Sequence, residues 1–265
     1  MKQKVSDYIA DRLAREGISQ VFTVTGGGAM HLNDSLGHHP GLSCLYHHHE
    51  QAAAMAAEAY ARVDNRMAAV CVTSGPGATN AITGALCAWM DSIPMLVLSG
   101  QVRYDTTVRH SGLKIRTMGV QEYDITPSVE PMTKYAVMVT DPLTIRYHLE
   151  RAIYLAKTGR PGPCWLDLPL NIQSAVVETD DLKAYDPSED AKELPAPVSE
   201  ETVKQILEKL KLASQPLIFA GHGIRLAGAY DEFQHLVELL GIPVVTGMSS
   251  IDLMESAHPL YVGRN

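Results

Sequence analysis

The sequence has no apolar run approaching the ~20 residues that a membrane-spanning helix requires. Its amino terminus, Met1-Lys2-Gln3-Lys4-Val5-Ser6-Asp7, lacks an apolar core and carries an acidic residue early, so it does not read as a secretory signal. Cysteine is scarce. Cys44, Cys71, Cys87 and Cys164 are scattered with no Cys-x-x-Cys pair, which excludes a disulfide framework and points to buried thiols in a reducing cytoplasm. Positive charge is in deficit: a net charge of −8 gives no basis for a nucleic-acid surface. With 46% hydrophobic and 20% charged residues, a disordered or fibrous chain is excluded as well. A soluble, cytoplasmic, globular chain of 265 residues remains, enough for one large domain and part or all of a second.

Along that chain one unit recurs: an amphipathic helix, a short apolar strand, and a Gly- or Ser-rich turn. Val5, Tyr8, Ile9, Arg12 and Leu13 keep helical spacing, and Gly17 closes that helix. Strands are expected at 21–24, 42–46, 68–72, 95–98 and 164–168. Helices are expected from Ala29, over 50–61, and on through Trp89. The strands are continuous apolar runs, so both faces are expected to be buried, as in a parallel sheet between helix layers. The fold class is α/β: a doubly wound, mostly parallel sheet with helices on both faces over residues 1–176. Residues 177–197, rich in Asp, Glu, Lys and Pro, read as an acidic linker. Residues 198–265 begin a second α/β domain that stops too soon to bury both faces of its sheet, with a helix at 199–212 and strands at 215–220 and 242–245.

Three motifs stand out. His47-His48-His49-Glu50 has zinc-ligand chemistry, but consecutive residues converge on one ion neither on a strand nor on a helix, so no metal site is assigned. Glu50 itself falls where a strand becomes a helix, at the end of the sheet where open α/β folds bind ligands. It reads either as a ligand-site carboxylate or as an acid favoured by the helix dipole. Ser74-Gly75-Pro76-Gly77-Ala78-Thr79-Asn80 is a tight turn whose glycines let a ligand approach the backbone. It lacks the Lys-Ser/Thr ending of a P-loop.

Taken in order, these segments resemble the amino-terminal half of thiamine-diphosphate-dependent enzymes of the acetolactate synthase group. The matching pieces include Val21 to Leu36, His49-Glu50-Gln51-Ala52-Ala53, Tyr60-Ala61-Arg62 and the Ser74–Asn80 turn. Further on come Met90-Asp91-Ser92-Ile93-Pro94, Gly100-Gln101-Val102, Gln121-Glu122-Tyr123-Asp124-Ile125 and Thr158-Gly159-Arg160-Pro161-Gly162-Pro163. The resemblance implies a pyrimidine-binding domain in which Glu50 hydrogen-bonds N1′ of the aminopyrimidine. That bond promotes loss of the thiazolium C2 proton and so decarboxylation of a 2-keto acid such as pyruvate. It also implies that the backbone of Val24, Thr25, Gly26 and Gly27, and the turn from Ser74 through Gly75, Pro76 and Gly77 to Asn80, face the cofactor. Gln121 is expected toward the reacting carbons and His49 beside the site, where a core histidine is the alternative reading. Arg160 matches an arginine that touches FAD, with a structural ion pair as the alternative.

The family holds the diphosphate and Mg²⁺ through a Gly-Asp-Gly motif in a third domain, and no Gly-Asp-Gly occurs here. The expectation is therefore a chain inactive by itself, either a piece of a longer enzyme or one subunit of a split one. It would work in a homo-oligomer, at least a dimer, whose site is completed by a diphosphate-binding domain. Thr25 and Arg103 replace prolines usual in the synthases, which leaves the acceptor substrate open. A non-catalytic regulatory subunit that retained the pyrimidine-binding fold is the second reading. No nucleic-acid or membrane partner is expected.

Overall fold

The computed structural model describes the backbone of residues 1–265 and all side chains except those of Asp64, Lys192 and Glu193. The chain divides into two units, Met1–Leu194 and Pro195–Asn265.

The first unit opens with β1 (Lys2–Lys4), α1 (Val5–Arg15), β2 (Gln20–Thr23), α2 (Met30–His38) and β3 (Ser43–Tyr46). It continues through α3 (Glu50–Asp64), β4 (Ala68–Val72), α4 (Pro76–Asn80), α5 (Ile82–Asp91) and β5 (Met95–Gln101). The short α6 (Val108–Ser111) and α7 (Thr126–Val129) precede β6 (Tyr135–Met138), α8 (Ile145–Lys157) and β7 (Pro163–Pro169). Last come α9 (Leu170–Gln173) and β8 (Val176–Glu178).

Six strands pair in the order β3-β2-β4-β5-β7-β6, every pair parallel. β4, β5 and β7 are buried at every residue, as their unbroken apolar runs require. Successive side chains point to opposite faces. Ala69, Cys71, Leu96, Leu98, Cys164 and Leu166 form one core with Val5, Ile9 and Leu13 of α1, Leu32 and Leu36 of α2, and Leu149 and Ala152 of α8. The alternate residues Val70, Val97 and Trp165 turn to the other face, where α3 and α5 pack. All four cysteines are free thiols, and burial pushes Cys71 and Cys164 up to about 12.

Two expectations are corrected, and one strand is added. The expected strand at 42–46 is largely exposed, because β3 is an edge strand with a single neighbour. β6 carries no expectation from the sequence although Tyr135-Ala136-Val137-Met138 is an unbroken apolar run; only Met138 is buried, because β6 lies at the edge of the sheet with β7 as its neighbour. The acidic stretch 177–197 is not a free linker for most of its length. β8 pairs antiparallel with β1. Beyond it, Arg151 of α8 donates two bonds of 2.8 Å to Asp190, whose Oδ2 also accepts from the Tyr185 hydroxyl at 2.6 Å. The physical reason is charge pairing at a site where Asp190 is only 6% exposed. Arg151 holds that carboxyl below the usual aspartate range.

The second unit contains α10 (Glu200–Leu212), β9 (Ile218–Ala220), α11 (Gly223–Leu226), α12 (Tyr230–Leu240), β10 (Val244–Thr246) and β11 (Tyr261–Arg264). Its strands form a parallel sheet in the order β11-β10-β9. Ser199 caps α10 by accepting from the Thr202 amide at 3.1 Å. The small core of Ala220, Phe233, Val237, Val244, Leu253 and Met254 lies on one side, and no residue of α10 is buried. Among the described residues no helix is long and apolar enough to cross a membrane.

The Arg151 tie yields a first prediction. Arg151→Ala leaves an almost wholly buried carboxylate without its cation and should lower stability by about 1–3 kcal/mol. Chemical denaturation together with limited proteolysis within 179–194 checks this; unchanged stability and cleavage would show that the segment is held by other contacts.

Candidate functional site

The strand order reverses direction between β2 and β4: β2 leads outward to β3 on one side, β4 to β5 on the other. The turns that follow these two strands therefore leave in opposite directions and open a crevice at the carboxyl ends of the sheet. They are stitched together closely. The Gly28 amide donates to Thr73 Oγ1 at 3.0 Å, and the Asn33 amide side chain donates to the Gly26 carbonyl at 3.4 Å. A Cβ placed on Gly26 would lie 2.4 Å from Thr73 Cβ, so only glycine allows this approach. Ser74 is buried beneath the second turn. Gly75 has φ +54° and ψ −116°, and a Cβ there would lie 2.1 Å from the Gln121 carbonyl oxygen. The Gln121 turn, itself at φ +56°, thus rests directly on Gly75.

Glu50 is the first residue of α3, where the helix dipole favours a carboxylate. Extended backbone at His49 ends the preceding strand region, and its ring Nδ1 caps the helix by accepting from the Gln51 amide at 3.1 Å. The Asn80 side-chain amide, at the end of α4, donates to Glu50 Oε2 at 3.0 Å. Oε1 has no hydrogen-bond donor among the described residues, and a Cβ on Gly77 would lie 3.3 Å from it. One carboxylate oxygen is fixed and the other faces open space beside a glycine backbone. Such a group can accept a hydrogen bond from a ligand ring nitrogen, or exchange a proton with it, in a fixed direction.

The other expected residues divide. Val24 is half-buried, with its amide 3.4 Å from the Cys71 carbonyl. Thr25, Gly27 and Pro76 are exposed along the crevice. His49 is not a core histidine but an exposed cap. Gln121 is exposed, brought to the site by its backbone contact with Gly75. Arg160 is not brought to this cluster. It precedes β7, whereas the Glu50 cluster follows β2 and β4, so in a parallel sheet it lies at the opposite end. There its Nε donates to Ser92 Oγ at 2.7 Å, and it lines a pocket of about 340 Å³ with Trp89, Met90 and Lys134. His47 Nδ1 lies 3.0 Å from the Leu45 carbonyl, and no group of three or more His, Cys, Asp or Glu among the described residues is placed to hold a metal ion.

Several residues that build the site were not legible as such. Thr73 links the two turns, yet an isolated threonine before Ser-Gly carries no signal of that. Gln173 Nε2 donates to the carbonyls of Gly28 at 2.7 Å and Leu168 at 2.6 Å, from 145 residues further along the chain than Gly28. Other matched motif residues serve the scaffold. Arg62 pairs with Glu58 and Asp91, joining α3 to α5, and Glu122 accepts from the amides of Val108, Met118 and Gly119.

Gly75→Ala combines a disfavoured backbone conformation with a clash against the Gln121 carbonyl. It should destabilise the chain by about 1–3 kcal/mol and speed amide hydrogen exchange around residue 121. Wild-type stability and exchange in this variant would show that the turn relaxes without loss.

Residues 3–122 match the family described as thiamine pyrophosphate enzyme, N-terminal TPP binding domain, and residues 203–265 match the central domain of the same enzymes. The chain is 35% identical over 263 residues to the acetolactate synthase large subunit of Lactococcus lactis. This alignment takes in 97% of the chain and 43% of that protein. It is 34% identical over 262 residues to the chloroplastic acetolactate synthase 1 of Oryza sativa, covering 97% of the chain and 38% of the relative. Against the acetolactate synthase isozyme 3 large subunit of Escherichia coli the figures are 32% over 265 residues, 97% and 44%. The chain thus spans less than half the length of these relatives. With the crevice between β2 and β4 formed by the matched N-terminal segment, the chain belongs to the thiamine pyrophosphate enzyme family.

Proposed function

We propose that this chain binds the aminopyrimidine of thiamine diphosphate and forms part of a 2-keto acid carboligase or decarboxylase of the acetolactate synthase type. The observation that carries this reading is the half-oriented carboxylate of Glu50, with Oε2 held by Asn80 and Oε1 open beside Gly77. The residues fit the group: a planar, polar ring needs a directed carboxylate and close backbone, Gly77 sets no side chain beside Oε1, and a Cβ on Gly27 would meet no protein atom within 4 Å.

When bound, thiamine diphosphate supplies an acidic carbon and an electron sink for the carbanion left by decarboxylation. The protein's part is to hold and direct a proton. Glu50 Oε1 would accept a hydrogen bond from, or share a proton with, a ring nitrogen of the bound group, with Asn80 keeping the carboxylate from rotating away. The turns at 24–27 and 74–77 would hold the ring edge, and a ring seated between them would shield that bond from water and strengthen it. Gln121, carried in on Gly75, would lie toward the reacting carbons. In the carboligase reading, two-carbon transfer to a second carbonyl completes the reaction.

The full activity belongs to an assembly with a diphosphate-binding region and Mg²⁺ held outside this chain, in a homo-oligomer of at least two copies. An FAD contact at Arg160 has the adjoining 340 Å³ pocket as its support.

The test is Glu50→Gln in the enzyme that contains this chain. Turnover should fall by about 10²–10⁴-fold, the range of a lost acid–base group, with an unchanged circular dichroism spectrum. Activity within a few-fold of wild type would remove Glu50 from the role.

A further inference from the structure

Where β5 meets β7, four polar or aromatic side chains are buried together without belonging to the Glu50 crevice. The register pairs Ser99 with Asp167, and side chains two residues apart on a strand share a face, so Ser99 and Gln101 of β5 face Trp165 and Asp167 of β7. The Trp165 indole donates to Ser99 Oγ at 2.8 Å, and the Ser99 hydroxyl donates to Asp167 Oδ1 at 2.6 Å. Gln101 Nε2 donates to Asp167 Oδ2 at 3.1 Å. Its second proton goes to the Tyr123 carbonyl at 2.8 Å, while its Oε1 accepts from the Val102 amide at 3.0 Å. Every polar atom of the Gln101 amide is therefore committed, and one commitment reaches the turn that carries Gln121.

We propose that Asp167 and Gln101 are positioning residues for that turn. The carboxylate fixes the Gln101 amide, the amide fixes the Tyr123 carbonyl, and the turn then lays Gln121 on Gly75. The proposal rests on the reading of Gln121 as a residue of the cofactor site, and it adds a dependence on the protonation of a group inside the sheet.

The hydrogen bonds explain the dependence. As a carboxylate, Asp167 accepts from both Ser99 and Gln101. Once protonated, one oxygen becomes a donor: at Oδ1 the Ser99 hydroxyl can turn and accept it, whereas at Oδ2 the Gln101 Nε2 offers no acceptor. At Oδ2 the new O–H would meet the Gln101 N–H, and the amide would have to turn, releasing the Tyr123 carbonyl. Asp167 is 1% exposed, and its burial pushes the acid up to about 7 against the two donors that lower it. The charged groups facing it from the adjoining segment are Asp124, which raises it further, and Arg109, which lowers it. These two are themselves paired at 2.9 Å. Because the folded value is raised, the stability this group contributes is full below the ordinary aspartate value near 3.8. It is lost as pH rises to about 7. The fold loses stability across that window, whereas the turn gains order only at its upper end, near 7, where folded Asp167 itself ionises.

The experiment is a pH titration from 5.5 to 8.5 of the ¹⁵N-labelled 265-residue chain, following the Trp165 indole N–H and the amides of Gln121 and Tyr123. Trp89→Phe assigns the indole, since the chain has two tryptophans. The expected result is one shared midpoint near 7 for all three signals, with faster amide exchange in the turn on the acid side. Gln101→Leu should abolish the titration of the turn while the indole still moves. Ser99→Ala should do the reverse. Turn amides that stay fixed in the wild-type chain overturn the proposal whether or not the indole moves, and this needs no variant to fold. Movement that persists in Gln101→Leu also overturns it, because the turn would then follow something other than the Asp167–Gln101 link. Failure of the cofactor reading would appear separately, as retained turnover in Glu50→Gln, and would leave the titration unaltered.

Discussion

Parallel pairing of β2 with β4 is the constraint on which the site depends. Because neighbouring strands run the same way and their connections depart to opposite sides, the turns after them are forced together at one end of the sheet with nothing between them. Thr73 and the glycines at 26 and 28 make that meeting possible: one supplies a hydroxyl acceptor for a turn amide, the others remove the Cβ atoms that would hold the turns apart. Helix α3 then starts at the same level with Glu50 as its first residue, and α4 returns Asn80 to it. The carboxylate is oriented by the sheet's topology before any ligand arrives.

How much of this could be read from the residues follows from the range of the interactions. The central strands were legible because their apolar runs record burial on both faces. The turns were legible because glycine and proline record backbone geometry locally. β6 marks the limit of the apolar signal: Tyr135-Ala136-Val137-Met138 is as apolar as a central strand, yet at the edge of the sheet only Met138 is buried. Glu50 could be singled out by its place at a strand-to-helix junction, but its orientation depends on Asn80, thirty positions away, and no local pattern announces that bond. Arg160 shows the opposite difficulty. Its motif resembles the family's, but only the direction of β7 tells which end of the sheet it occupies. The acidic tail of the first unit was read as tether because composition cannot reveal that Arg151 awaits Asp190.

The buried polar cluster between β5 and β7 sits badly with a rule that cores are apolar, and the rule explains why. A carboxyl group placed among Ser99, Gln101 and Trp165 is tolerated only because each of its oxygens finds a donor. Replacing the whole set by aliphatic residues would preserve packing. It would also cut the Tyr123 carbonyl loose from the sheet, since among the described residues no other donor reaches it.

β7 lies between β5 and β6, and β6 pairs with no other strand of the sheet. During synthesis β6 emerges before its only neighbour exists, and β5 waits with one edge bare through more than sixty residues of chain. The sheet can close only by inserting a late strand between two earlier ones, against the entropy of that long loop. Assembly of the first unit is thus a race between this insertion and the pairing of two exposed edges with something else, which is the interval in which a chaperone would matter to this chain.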